Sequence, residues 1–274
     1  MLNLKESHKC FKGKQEVYSH ESYSNKCNMQ FALYTPDESK DAEVLFFLSG
    51  ITCSEQNFIQ KSGYQKFASD HKIAIVVPDT SPRGEDIPNS DDFKLGMGAG
   101  FYLNAISDPW SKNYNMYDYI CIELPNIINE NFNFNKTKIG IFGHSMGGGG
   151  AIQCALKNKN LFKSISAFSP ICSLEKSEFA KEARDKYLSN KIEQVRLYDP
   201  IYLMQNSETL KSIKIDVGID DEFLDDLYIN DFKKICSQRN QQLIINKHTG
   251  YDHGYYFIQS FIEDHIVYHK EMLD

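Results

Sequence analysis

The chain has 274 residues, of which 41% are hydrophobic and 24% are charged, and its formal net charge is −7 at pH 7. This length and composition are typical of one domain with a large buried core, and we expect residues 1–274 to form it. The acidic balance argues against nucleic acid as a partner, because phosphate binding requires a basic surface.

Neither a membrane span nor a secretory signal is visible in the sequence. Its apolar runs are too short to cross a bilayer, and the first eight residues lack the apolar core of a signal peptide. We therefore expect a cytoplasmic protein with no membrane partner. The seven cysteines lack the spacing of a metal or redox motif, so most are expected to be free thiols.

The first forty residues predict an antiparallel edge of a sheet. Polar and apolar side chains alternate over residues 11–20 and 29–35, and the polar stretch 21–26 separates the two segments. Alternation with a period of two is typical of half-buried strands, and a short polar connection joins antiparallel neighbours.

Beyond residue 43, short apolar runs alternate with helix-like segments. Continuous apolar runs of this length are typical of strands that are buried on both faces. The predicted strands are residues 44–48, 73–77, 139–142, 165–168, 213–217 and 243–245. The predicted helices are residues 58–71, 117–132, 146–158, 227–239 and 255–269. Pro125 should bend or divide the second helix.

This alternation predicts an α/β fold with a mostly parallel central sheet, helices on both faces and an antiparallel N-terminal edge. Residues 173–210 depart from the pattern, because they are polar, helical in character and weakly periodic. We expect them to form a helical insertion within the same domain that covers the site at one end of the sheet.

A glycine-rich turn at Ser145 is the most informative chemical signal in the chain. Gly143-His144-Ser145-Met146-Gly147 follows the apolar run 139–142 and precedes a predicted helix. A G-x-S-x-G sequence between a strand and a helix holds a serine hydroxyl on an exposed, strained turn, where it can act as a nucleophile. We expect His144 to pack within the turn rather than serve as a second base.

An activated serine requires an acid and a histidine, which follow it in that order in this class of fold. The run 213–217 leads to Asp220 and Asp221, and the spacing alone does not choose between them. The run 243–245 leads to His248 and His253, of which His253 is favoured because a glycine follows it and it lies farther from the strand. His253 would take the proton of Ser145, and the carboxylate would fix its tautomer.

Backbone amides are expected to bind the oxyanion of an acyl-transfer intermediate. Met146, the residue after the nucleophile, supplies one donor, and Ile51 in the loop after strand 44–48 is the candidate for the second. Cys53 in the same loop is either a thiol at the pocket rim or a small buried side chain. His265 and His269 are four residues apart, but we expect a solvated helix face there rather than a metal site.

Seven segments spread along the chain resemble the S-formylglutathione hydrolase family, also called esterase D, of the α/β-hydrolase superfamily. Matches of this length are far more specific than the serine turn alone. The segments are residues 48–58, 78–84, 98–102, 108–110, 142–148, 166–172 and 250–253.

The resemblance implies an α/β-hydrolase fold and hydrolysis of a small-molecule thioester, S-formylglutathione, to glutathione and formate during formaldehyde removal, without metal or organic cofactor. It implies Asp221 as the triad acid, because the second acid of the family's Gly-x-Asp-Asp-x-Phe motif has that role. It also implies Ile51 and Met146 as oxyanion donors and Cys53 as a thiol that affects activity. Members are cytosolic and often homodimeric. A general carboxylesterase or an acyltransferase on the same scaffold is the alternative.

The chain departs from the family at positions near the predicted pocket. The family usually has a histidine where Gly149 stands and Trp-Asp where Phe93-Lys94 stand, and residues 173–195 match poorly. The sequence does not identify the cations that would bind the glutathione carboxylates. Lys61, Arg83 and Lys94 are the basic residues near the pocket-forming loops.

Overall fold

Nine strands form one sheet in the computed structural model, which describes residues 2–274. The strands are β1 (Asn3–Lys9), β2 (Gly13–Ser22), β3 (Cys27–Pro36), β4 (Val44–Leu48), β5 (Ala74–Pro78), β6 (Ile139–His144), β7 (Ser164–Phe168), β8 (Ile213–Gly218) and β9 (Leu243–His248). Their order across the sheet is β1-β2-β3-β5-β4-β6-β7-β8-β9.

Strands β4 to β9 are parallel, which confirms the prediction of a mostly parallel sheet. The chain adds β5 on one side of β4 and then β6 on the other side. Loops that leave the carboxyl ends of strands at such a reversal diverge and leave a crevice between them. Leu48 pairs with Gly143 at the ends of β4 and β6, so the loop after β4 lies beside the turn that contains Ser145.

Strands β1, β2 and β3 form the predicted antiparallel edge, and β3 pairs antiparallel with β5. The positions of β2 and β3 agree with the alternating segments within two residues. Strand β1 was not predicted. All seven of its residues are exposed, so its sequence shows no apolar face from which a strand could be recognised.

Helices flank the sheet. They are α1 (Glu55–Lys61), α2 (Tyr64–Asp70), α3 (Met116–Asp118), α4 (Leu124–Asn131), α5 (Met146–Lys157), α6 (Ile192–Arg196), α7 (Pro200–Asn206), α8 (Ile229–Gln238) and α9 (Tyr255–Leu273). Apolar residues of α5, α7 and α8 pack on one face, with Phe46 of β4. Residues of α1, α2 and α9 pack on the other face, with Phe47, because successive strand side chains point to opposite faces.

Two predicted helices are divided in the structure. The single helix expected at 58–71 is wrong, because Gly63 has a φ of 68° and turns the chain between α1 and α2. The division expected near Pro125 takes the form of a π-helical turn, Tyr119–Glu123, between α3 and α4. Proline lacks the N–H that would continue regular α-helical bonding at this point.

The C-terminal part of the sheet corrects two further expectations. Strand β9 lies at the edge and is only half-buried, although its apolar sequence predicted a strand covered on both faces. His265 and His269 are both fully buried, so the expectation of a solvated face was wrong. Helix α9 packs across β7, and Ser166 lies 2.7 Å from His265 Nδ1 and 2.8 Å from His269 Nε2.

Residues 173–210 pack against the main core and contain α6, α7 and a π-helical turn, Ala183–Tyr187. Tyr187, Leu188, Val195 and Met204 of this segment are buried in the core cluster. Across residues 2–274, no helix combines the length and apolarity that crossing a bilayer would need. All seven cysteines are free thiols.

Candidate active site

Ser145 lies on a strained turn between β6 and α5. Its backbone has φ 57° and ψ −119°, a conformation that non-glycine residues rarely adopt. The turn is held by neighbouring backbone, since the Ser145 amide donates to the carbonyl of Phe168 at 3.0 Å. The Ser145 carbonyl accepts from the amide of Ile171 at 3.1 Å.

The glycines on either side of Ser145 are required by close backbone contacts. A β carbon on Gly147 would overlap the carbonyl of Leu48, and one on Gly143 would overlap the carbonyl of Gly147. Only glycine therefore lets α5 begin against the ends of β4 and β6. The loop after β4 also runs close to the turn, because a β carbon on Gly50 would lie 3.3 Å from the β carbon of Ser145.

Asp221 and His253 form a buried hydrogen-bonded pair. The Nδ1 atom of His253 lies 2.7 Å from Oδ2 of Asp221, and the carboxylate is fully buried. Burial raises the pKa of Asp221, but the hydrogen bond and the charge of His253 outweigh this effect and leave the pKa below its usual value. The carboxyl group is therefore held in its ionised form beside the imidazole.

Asp220 and His248, the alternative candidates for the acid and the base, lie in different surroundings. Asp220 is exposed, and its amide donates to the carbonyl of Tyr251 at 3.1 Å. His248 ends β9, where its Nε2 atom lies 2.9 Å from Oδ2 of Asp216. Its ring packs on Phe261 with 3.7 Å between the centroids. The structure thus brings Asp221, and not Asp220, together with His253.

Ser145 and His253 line one cavity of about 260 Å³ at the carboxyl ends of the strands. Most of the other lining side chains are apolar. The lining consists of Gly50, Ile51, Thr52, Cys53, Phe93, His144, Ser145, Ile171, Phe179, Phe223, Leu227, His253 and Tyr255. Phe179 belongs to the segment 173–210, so this segment contributes to the cavity wall.

The sequence did not reveal the aromatic side chains of the cavity wall. Apolar residues occur throughout the chain, and no pattern distinguishes those that face a pocket. Two of them, Phe223 and Tyr255, could have been identified from their places in the sequence, because each follows a proposed triad residue by two positions. Phe179 carries no such signal, since it lies far from every motif in the sequence.

The backbone amides of Ile51 and Met146 are available as donors. In residues 2–274, neither amide donates to a protein acceptor. Ile51 lines the cavity with Ser145, and Met146 is the first residue of α5, where helix amides have no intrahelical partner. Both amides are therefore free to donate to a group from outside the chain.

Cys53 is both buried and part of the cavity lining. Its residue exposure is 9%, and burial raises the pKa of its thiol. Its carbonyl accepts from Nη2 of Arg83 at 3.0 Å. Cys53 is therefore a buried thiol that also lines the cavity, and its role as a rim thiol stays a prediction.

His144 packs against the ring of His253, with 4.6 Å between the ring centroids. Neither of its ring nitrogens has a hydrogen-bond partner within the described chain. Burial and then the charge of His253 hold the pKa of His144 well below its usual value. The ring therefore stays neutral as a packed residue of the turn, as expected, and also forms part of the cavity wall.

Gly149 lies where α5 meets the loop after β7. A β carbon at this position would overlap the carbonyl of Ile171. Ile171 in turn lines the cavity and donates its amide to Ser145. Glycine at position 149 therefore leaves room for this loop, which forms one wall of the site.

The three basic residues singled out in the sequence differ in their environments. Arg83 is paired with Asp79, whose Oδ2 lies 2.7 Å from Arg83 Nε. Lys61 Nζ lies 5.6 Å from the ring centre of Tyr255, and Lys94 Nζ lies 5.0 Å from that of Phe179. The two lysines thus contact side chains that line the cavity, whereas the charge of Arg83 is already compensated.

Comparison with known proteins agrees with this fold. The model of the Esterase family, described as "Putative esterase", matches residues 22–268. The S-formylglutathione hydrolase of Rattus norvegicus is 46% identical over 274 residues, which cover 98% of this chain and 97% of that protein. The S-formylglutathione hydrolase of Bos taurus is 44% identical with the same coverage.

Solved structures extend the similarity to three dimensions. The S-formylglutathione hydrolase from Agrobacterium tumefaciens superposes with a TM-score of 0.97 at 39% identity, over 99% of this chain and 100% of that chain. The serine hydrolase FphF of Staphylococcus aureus shares the fold with a TM-score of 0.75 at 21% identity, over 94% and 98% of the two chains. The α/β-hydrolase fold is confirmed, and the chain belongs to the S-formylglutathione hydrolase family of esterases.

Proposed function

We propose that the protein is a serine thioesterase that hydrolyses S-formylglutathione to glutathione and formate, the hydrolytic step of glutathione-dependent formaldehyde removal. The observation that carries this proposal is the 2.7 Å contact between Asp221 and His253 beside a cavity that also contains Ser145. The full-length similarity to proteins named S-formylglutathione hydrolase supports the choice of substrate.

In the first half of the reaction, Oγ of Ser145 attacks the formyl carbon while Nε2 of His253 takes the hydroxyl proton. The amides of Ile51 and Met146 donate to the oxyanion that forms. The carbon–sulfur bond then breaks and the electron pair leaves with the sulfur as glutathione thiolate. The imidazolium of His253 passes its proton to this thiolate, so that His253 is neutral again before water enters. A thiol has a pKa of about 8.5, so this leaving group needs less protonation than an amine would.

In the second half, water attacks the formyl ester of Ser145 and gives a proton to His253. The ester bond breaks, formic acid leaves and ionises to formate in solution, and Ser145 recovers its proton from the imidazolium. Asp221 remains ionised throughout and stabilises the imidazolium that forms twice in each cycle. Every proton transfer in this cycle uses a side chain of the chain itself.

Replacement of the nucleophile tests this proposal. Ser145→Ala should lower kcat for S-formylglutathione by at least about 10⁴-fold, because it removes the atom that forms the acyl-enzyme. Ser260→Ala is the matched control, since Ser260 is exposed on α9 and donates to the carbonyl of Tyr256 at 2.8 Å. Urea unfolding of both variants checks the fold. An active Ser145→Ala enzyme would refute the mechanism.

The apolar lining of the cavity favours a second candidate, a general carboxylesterase or an acyltransferase. Phe93, Phe179 and Phe223 could accommodate an aryl or alkyl ester as well as a thioester. Comparing kcat/KM for S-formylglutathione and 4-nitrophenyl acetate distinguishes the esterase, which should prefer the simple ester. Transfer of the acyl group to an added alcohol, in competition with water, would identify an acyltransferase.

A further inference from the structure

We propose that Lys61 and Lys94 bind the two carboxylates of the glutathione moiety at the cavity mouth. This inference rests on the proposed function, because it concerns how that thioester is held. Lys94 Nζ lies 5.0 Å from the ring centre of Phe179 and 5.8 Å from that of Phe93. Lys61 Nζ lies 5.6 Å from the ring centre of Tyr255.

Each lysine is linked to the proposed catalytic histidine by two ring contacts. On one path, His253 packs on Phe223 with 5.0 Å between the centroids, and Phe223 packs on Phe179 with 4.8 Å. On the other, His253 packs on His144 with 4.6 Å between the centroids, and His144 packs on Tyr255 with 6.3 Å. The two ammonium groups thus approach the reacting centre along different walls of the cavity.

The charges of both lysines are uncompensated by the protein. In the part of the chain that the structure describes, no carboxylate lies within ion-pair distance of either Nζ atom. The other basic groups nearby are occupied, since Arg83 pairs with Asp79 and Lys176 pairs with Asp231 at 2.6 Å. A cation that packs on an aromatic ring and lacks an acid partner remains free to bind an anion.

The size of the cavity requires part of the substrate to lie outside it. Its volume of about 260 Å³ is below the range of about 300–1,000 Å³ that encloses most ligands. A tripeptide extends to about 10 Å. With the thioester beside Ser145, the terminal residues of glutathione must therefore lie outside the cavity. Lys94, which is half-buried, and Lys61, which is exposed, each contact a side chain of the cavity lining.

The charge of the ligand matches this arrangement. Glutathione has two carboxylates and one ammonium group near neutral pH, and the protein as a whole has a formal net charge of −7. Without local cations, an anionic substrate would be repelled from such a surface. Lys61 and Lys94 supply such local cations beside the cavity lining.

Inhibition by S-methylglutathione, which has both carboxylates but no acyl group, tests the inference directly. Its Ki is measured against hydrolysis of 4-nitrophenyl acetate, an uncharged substrate. Lys61→Gln and Lys94→Gln should each raise Ki by about fivefold, and the double variant by about 25-fold, because the two pairs act on separate carboxylates. Lys94→Arg should retain most of the affinity.

Lys66→Gln is the matched control. Lys66 is exposed, and its Nζ lies 5.4 Å from the ring centre of Phe67, so the same charge is removed from a similar contact outside the cavity lining. In Lys66→Gln, kcat/KM for 4-nitrophenyl acetate should stay within about twofold of wild type. In the Lys61 and Lys94 variants it should change far less than Ki for S-methylglutathione, since this ester has no carboxylate. KM for S-formylglutathione should rise in the Lys61 and Lys94 variants at nearly constant kcat.

The outcomes separate this inference from the proposed function. If the double variant has the same Ki as Lys66→Gln, or if S-methylglutathione fails to inhibit the wild type, the lysine site is refuted. If the wild type does not hydrolyse S-formylglutathione but the lysines still control Ki, the site stands and the proposed substrate is wrong.

Discussion

The carboxylate of Asp221 lies 2.7 Å from Nδ1 of His253, whereas Asp220, one residue earlier, is exposed to solvent. The sequence spacing alone could not separate these two acids. The path of the chain after β8 buries one side chain behind the imidazole and turns the other outward. A shift of one residue therefore determines which carboxylate can act on His253.

Asp221→Asn should lower kcat for S-formylglutathione by about 10⁴-fold. An amide in this position would hold the imidazole in the wrong tautomer and could not stabilise the imidazolium. Asp220→Asn is the control and should change kcat by less than about twofold, because Asp220 is exposed and lies outside the cavity lining. Equal losses in both variants would contradict the assignment.

A second buried carboxylate, Asp216 on β8, is important for stability. Lys214 Nζ and Asn246 Nδ2 each lie 3.0 Å from its Oδ1, and His248 Nε2 lies 2.9 Å from its Oδ2. Burial raises the pKa of Asp216, but hydrogen bonds and charges from His265 and Lys214 outweigh this effect and hold the pKa well below its usual value. We assign the compensating positive charge to Lys214, because burial lowers the pKa of His265.

A carboxyl group whose pKa is lower in the folded state binds fewer protons there than in the unfolded chain. Its contribution to stability is present above the unfolded pKa of about 3.9 and is lost as the pH falls toward the folded value. Asp216→Asn should therefore reduce the free energy of unfolding by about 3–5 kcal/mol at pH 7, since it leaves Lys214 unpaired. The difference in the free energy of unfolding between Asp216→Asn and wild type should become smaller below about pH 4.

Urea unfolding at pH 7 and at pH 3 measures this effect. Asp37→Asn is the control, because Asp37 forms an exposed ion pair with Lys9 at 2.7 Å and should cost less than about 1 kcal/mol at either pH. If Asp216→Asn is as stable as wild type at pH 7, the buried pair contributes nothing to the fold.

The same network shows where sequence reasoning works and where it fails. Strand β4 begins and ends where the apolar run 44–48 predicted, because a continuous apolar run has no alternative to burial on both faces. The burial of His265 and His269 was not predicted, because their partners lie on strands that are distant in the sequence. These partners are Ser164 and Ser166 of β7 and Asp216 of β8. A buried polar residue whose hydrogen-bond partners are far away in the sequence cannot be distinguished, from the sequence, from a residue on the surface.

Some residues of the candidate site could likewise be predicted from the sequence, and others could not. Ser145 and His253 belong to local motifs at strand ends, so their positions could be predicted from the sequence, whereas the spacing left Asp220 and Asp221 open. The cavity wall could not, because Phe93, Phe179 and Phe223 converge from three separate segments. The environment of Lys94 depends on the same convergence, since Phe179 comes from the poorly matching segment 173–195.

Gly149 provides the last prediction, in which two physical effects have opposite signs. Alanine in the interior of a helix is favoured over glycine by about 1 kcal/mol, so propensity alone predicts that Gly149→Ala stabilises the protein. The overlap with the Ile171 carbonyl predicts destabilisation, because overpacking against a fixed backbone costs about 1–3 kcal/mol. We expect the overlap to dominate, and Gly149→His to be more harmful still, because its side chain is larger.

Activity should fall together with stability in these variants. Ile171 donates its amide to the Ser145 carbonyl at 3.1 Å and lines the cavity, so displacement of its loop would disturb both the turn and the pocket. Urea unfolding and kcat/KM for 4-nitrophenyl acetate provide the two measurements. A Gly149→Ala protein that is more stable and fully active would show that the loop at Ile171 yields freely, and that the missing side chain at position 149 does not constrain the site.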